Sequence, residues 1–137
     1  MRDFEECKIK REIDGYTDPD TGKWVEEGKK LIAECIADIQ PQTGQRRETE
    51  LQTDYESNHI AFFRLRDIKV PEDAITILGL AEFEDTVPIH RRIQKIRGDI
   101  FQPGDILLDS IEQEFHVVFP AFWKDHFEIE LEVDNDG

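Results

Sequence analysis

The chain has 137 residues, of which 32 are acidic and 17 basic, giving a formal net charge of −15; 38% are hydrophobic and 36% charged. That length suits one domain, 1–137, with a thin core, and so negative a surface opposes non-specific adhesion to phosphate backbones or anionic membranes. No segment approaches the ~20 apolar residues of a membrane-spanning helix, and the start lacks the apolar stretch of a secretory leader, so the expectation is a chain made in the cytoplasm.

The first residues, to about 13, are read as an N-terminal arm, and 134–137 as a tail. Thr17, Asp18, Pro19, Asp20, Thr21, Gly22 and Lys23, between Tyr16 and Trp24, predict a hairpin turn. Asp18 and Asp20 resemble the start of a calcium loop, but Gly22 stands at the third ligand position and Lys29 where the closing Glu would fall. Cys7 and Cys35 lie far apart in the chain and are expected as two reduced thiols.

Residues 30–40 fit two periods. Leu31, Ile32, Cys35, Ile36 and Ile39 make a helical stripe, while Leu31, Ala33, Cys35, Ala37 and Ile39 make one face of a strand. Local propensity leans to helix, and Gln40-Pro41 is compatible with an extended exit. From 42 to 58 only Leu51 and Tyr55 are apolar, which predicts a long polar loop, with room for a short helix around 47–51. Residues 59–70 return to strand character through Ile60, Phe62 and Leu65; 74–84 fit either a strand or a short helix, and Gly79 weakens both. Residues 88–98 hold the one dense basic cluster, His90, Arg91, Arg92, Lys95 and Arg97. In so acidic a chain these cations are expected to meet carboxylates of the same or a neighbouring subunit.

The last third reads as an antiparallel meander. Pro103, Gly104 and Asp105 supply turn chemistry before Ile106, Leu107 and Leu108, and 115–119 is rich in β-formers before Pro120. In the final strand Phe127, Ile129, Leu131 and Val133 alternate with Glu128, Glu130, Glu132 and Asp134, which predicts an apolar inner face and an acidic outer one. Phe115, Phe119, Phe122, Trp123 and Phe127 read as core rather than as a base-stacking platform, because acidic residues surround them.

Catalytic parts are missing from the pattern. Four scattered histidines, no Cys-x-x-Cys, no phosphate-binding glycine loop and no nucleophile elbow leave neither a metal nor a cofactor site to propose. His126 and Glu128 share a strand face and could bind a metal or act as an acid/base pair, but nothing else converges on them, and an exposed strand face bearing polar groups is the favoured reading.

Taken in order, an early hairpin with Trp24, an extended segment ending in Asp38-Ile39-Gln40-Pro41-Gln42-Thr43-Gly44, a polar insertion, a strand, Phe101-x-x-Gly104-Asp105-Ile106 and Trp123-x-x-His126-x-Glu128-x-x-Leu131 resemble the head-closure (stopper) or head–tail joining proteins of tailed bacteriophages. The resemblance runs over 13–134, and 71–98 is longer than the family's usual link. It implies a mainly β fold, a small antiparallel β-barrel or sandwich with a long polar loop and little helix, and makes 30–40 a strand. It also implies a virion structural protein without enzymatic activity. Such a protein forms a homo-oligomeric ring in the neck between capsid and tail, against portal, adaptor and tail proteins. Packaged DNA passes through the ring without sequence-specific binding, and the stopper, adaptor and tail-terminator subtypes stay open. The loop at 43–58, with Gln45, Arg46, Arg47, Glu48 and Glu50, would be the channel gate. Arg91, Arg92, Lys95, Arg97, Glu128, Glu130 and Glu132 are the candidate interface, and the free protein is expected to be a monomer. The alternative from another class is an acidic DNA mimic that inhibits a host DNA-binding protein, resting on the −15 charge.

Overall fold

The computed structural model describes residues 4–19, 21–47, 55–96 and 100–133, with the side chains of 42–47 and 55–58 left aside. The fold is mainly β, a closed six-stranded antiparallel barrel with little helix. Its strands are β1 (Phe4–Ile13), β4 (Gly28–Arg47), β5 (Tyr55–Arg64), β6 (Ile106–Leu108), β7 (Glu114–Trp123) and β8 (His126–Glu132), in the closed order β1, β4, β5, β8, β7, β6. A separate hairpin joins β2 (Tyr16–Thr17) to β3 (Trp24–Val25), as the turn residues between them predict.

The expected N-terminal arm is instead barrel strand β1, with Cys7 and Ile9 turned to the core. The two-way segment 30–40 belongs to β4, so pairing to β1 and β5 overrides its helical propensity. Inward side chains here are small, Ala33, Cys35 and Ala37, with Ala61 opposite on β5; they leave room for Phe63 and Phe127, whose rings stack 5.2 Å apart. Alternating small and large residues is how a narrow barrel fills its interior. A register shift after Ile9 gives β4 one extra residue, and both Ile32 and Ala33 are buried there.

Barrel closure rests on short pairings. β6 contributes three residues, bonded to Lys8, Ile9 and Lys10 on one side and to Glu114, Phe115 and His116 on the other. Side chains on both sides of this seam reinforce it. Arg11 donates to Asp105 just before β6 at 2.8 and 2.9 Å, and the Ser110 amide and hydroxyl just after β6 donate to Glu5 at 3.0 Å. Pro120 is tolerated inside β7 because there the strand pairs only with β8 among the described residues.

Residues 65–96 add Leu65, Ile68, Ala74, Leu78, Leu80 and Ile93 to the buried core. A 3₁₀ turn (Leu65–Asp67) leads to α1 (Glu72–Ile77) and α2 (Ile89–Lys95). The choice between strand and helix for 74–84 therefore falls to a short helix followed by turns. Gly79, at φ +73°, ends α1: its amide donates to the Thr76 carbonyl, and the Leu80 amide to the Ile75 carbonyl. This is the reciprocal pattern that a left-handed residue after a helix makes possible. Ile100 and Phe101 then enter the core, the Phe101 ring 5.8 Å from Phe63 and 5.1 Å from Phe127.

Candidate functional site

Two features stand outside what the fold needs: a two-stranded ribbon and an aromatic, acidic outer wall. β4 pairs with β1 as far as Asp38, and β5 with β8 as far as His59. Beyond Pro41, β4 pairs only with β5 among the described residues, through Gln45↔Ser57, Arg46↔Glu56 and Arg47↔Tyr55. Pro41 marks the break, since the register shifts between it and Gln45. The expected 43–58 loop is thus shorter: 43–47 and 55–58 are strand. Of the gate residues, Gln45, Arg46 and Arg47 lie on this ribbon, Arg47 in strand rather than in a helix at 47–51, and Glu48 and Glu50 fall outside the described residues.

The wall is built by strand alternation. Register sets Phe119, Glu130, Ile60 and Gln40 in one row across β7, β8, β5 and β4. A second row carries Ala121, Glu128, Phe62, Asp38 and, on β1, Phe4. Trp123, His126 and Arg64 make a third. Phe4, Phe119 and Trp123 are exposed, Trp123 at 56%, so the expected all-core aromatic stretch divides: Phe115 and Phe127 are inside, Phe119 and Trp123 outside.

Glu130 corrects the expected acidic outer face, because it is only 3% exposed between Ile60 and Phe119. Glu132 is exposed and Glu128 half-buried. Nor is β8 an edge strand, since it pairs with β5 and β7. Arg64 lies 5.7 Å from the Phe4 ring centre, and His126 stands between Asp125 at 3.1 Å and Glu128 at 3.4 Å. With Phe62 these groups line a cleft of about 420 Å³. Among the described residues no three His, Cys, Asp or Glu side chains converge as metal ligands.

The basic cluster does not act as one patch. Arg92 is buried, and its guanidinium donates to the carbonyls of Val87 (2.8 Å), Glu84 (3.0 Å) and Leu80 (3.3 Å), tying the 80–87 turns to α2. It is withdrawn from any interface, a correction that follows from the turn carbonyls that hold its guanidinium. Arg91 is exposed and bonded to Gln94, Lys95 lies 5.9 Å from the Phe83 ring centre, and Arg97 falls outside the described residues.

Phe4 and Arg64 do not stand out in the sequence as site residues, and the strand character of 59–70 does not show which face Phe62 takes. Phe63, not Phe62, points inward with Ala61. The alternation was present in Ala61, Phe63 and Leu65, but Ile60 and Phe62 beside them removed the polar contrast that reveals a face.

On β5, His59 meets Phe115 edge-on, ring centres 5.1 Å apart, and burial lowers its pKa below the ordinary value. Neutral His59 is the form favoured by folding. Its stabilisation is therefore present above about pH 6.5 and declines as pH falls through that unfolded-state value towards the lower folded one. An NMR titration should give His59 a midpoint below 6.5, and His59→Phe should flatten stability over that interval; a midpoint at or above the free-histidine value rejects this. No known family model, curated protein or solved structure matches the chain.

Proposed function

We propose that this chain is a structural protein of the head–tail connector of a tailed phage, ring-forming in the virion and monomeric when free. The observation that carries the reading is the β4–β5 ribbon leaving the barrel beyond Pro41, with Arg46 and Arg47 on it. A barrel with pairing used up in its own wall supplies a rigid mount, and a ribbon held at one end is the element able to reach a channel axis. The −15 charge accords with DNA transit, since carboxylates on a channel wall repel phosphates instead of gripping them. In a ring, exposed Arg91 and Lys95 offer the cations, and Glu128 and Glu132 the carboxylates, that let equally acidic copies adjoin.

The test is quantitative mass spectrometry of purified virions of the phage that encodes the chain, comparing its copies with those of portal protein. A fixed ratio near one or one half supports the neck assignment. Absence from virions overturns it and leaves the acidic DNA mimic, which predicts tight, salt-sensitive binding to a DNA-binding protein.

A further inference from the structure

Cys7 and Cys35 stand directly opposite one another in the β1–β4 pairing, both buried and both free thiols. Opposed residues of an antiparallel pair hold their Cβ atoms about 4.5–5.5 Å apart, adjoining the ~3.5–4.5 Å span of a disulfide. The Cys7 thiol donates to the Glu5 carbonyl at 3.5 Å. The Cys7 thiol beside it first, then burial, then the neighbouring charges, Asp67 among them, push the Cys35 pKa up, so Cys35 stays protonated and slow to react in a reducing cytosol. The two residues also line a cleft of about 340 Å³ together with Lys8, Asp67, Lys69 and Ser110, which offers a small oxidant an approach. Position adds a reason for the pair: β1 is held on its other side by only three residues of β6.

We propose that Cys7 and Cys35 are a disulfide-forming pair, reduced where the chain is made and closed by a hydroperoxide in an oxidising medium, fastening β1 to β4. One thiol sulfur takes an oxygen from hydrogen peroxide as the O–O bond breaks, giving a sulfenic acid and one water. The second thiol attacks that sulfur; the S–S bond forms, the S–O bond breaks, and the thiol proton leaves with the hydroxyl as a second water. Two thiols lose two electrons and two protons, and the peroxide becomes two waters. The chemistry holds whatever the barrel does; in the proposed neck role it would mark departure from the host cytoplasm.

The experiment exposes folded wild-type protein to hydrogen peroxide and follows intact mass, disulfide-linked peptides and Tm. Expected are a loss of about 2 Da, a Cys7–Cys35 cross-linked peptide, and a Tm raised by about 10 °C and restored by dithiothreitol. Cys7→Ser and Cys35→Ser should each abolish the mass loss. An unchanged mass, separate oxygen adducts of about 16 Da, or disulfides between molecules would overturn the pair. The intramolecular bond without a rise in Tm would overturn the fastening.

Discussion

Asp105→Ala should destabilise the protein by about 3–5 kcal/mol, the range for removing one partner of a buried ion pair. Asp105 is 1% exposed and Arg11 13%, so the guanidinium cannot simply exchange its carboxylate for bulk water. The same carboxylate accepts the Gln102 amide at 3.0 Å, and Arg11 also donates to the Ile100 carbonyl at 2.8 Å. Removing it orphans a cation and an amide next to the three-residue strand that closes the barrel. Asp105→Asn keeps an oxygen for the amide and should lose less. In urea the midpoint should fall with an unchanged m value. A double-mutant cycle with Arg11→Ala should show the double variant losing clearly less than the sum of the singles. A loss below about 1 kcal/mol for Asp105→Ala would mean that Arg11 swings out to solvent and that the pair does not hold the seam.

How far the sequence reveals the fold depends on contrast along each strand. β8 was legible because Phe127, Ile129 and Leu131 differ so plainly from their neighbours, and all three are fully buried. Its outer face was less so: whether Glu130 stays in water depends on Ile60 and Phe119, which arrive from two other strands. β1 was hidden for the opposite reason. Cys7 and Ile9 are its two core residues in a run otherwise mostly charged, and only pairing to β4 and β6 shows that two suffice. In 30–40, the helical stripe and the strand face share Leu31, Cys35 and Ile39, so the decision lay with partners remote in sequence.

The candidate site was legible as composition and less so as geometry. The cations of 88–98 stand close in sequence, yet Arg92 turns inward to the carbonyls of Leu80, Glu84 and Val87 while Arg91 stays exposed. Nothing in the local pattern separates the two, because the receiving carbonyls come from a turn whose path the helix itself sets. The polar tract after Pro41 was visible, but its division into strand and tip was not. Alternating apolar residues mark a strand only when one face is buried, and a ribbon outside the barrel lacks a core to select them.

Replacing 46–56 by Asn-Gly should leave the barrel nearly as stable as before and remove the function of the proposed gate. Gln45 and Ser57 are register partners, so a two-residue turn joins them without stretching either strand. The deleted segment lies past the last pairing of β4 with β1 and of β5 with β8. Its loss should therefore shift unfolding by less than about 1 kcal/mol, in contrast to the Asp105 variant. Phage carrying the shortened chain should package DNA but release it from the head or fail to attach tails, seen as emptied, tailless capsids by electron microscopy. Arg46→Glu with Arg47→Glu separates contact from length: if the two cations hold a DNA end or a neighbour's carboxylates, charge reversal alone should reproduce the leak. Full genome retention and normal tails with the shortened ribbon, in virions that still contain the chain, would remove the gate while leaving the neck assignment standing.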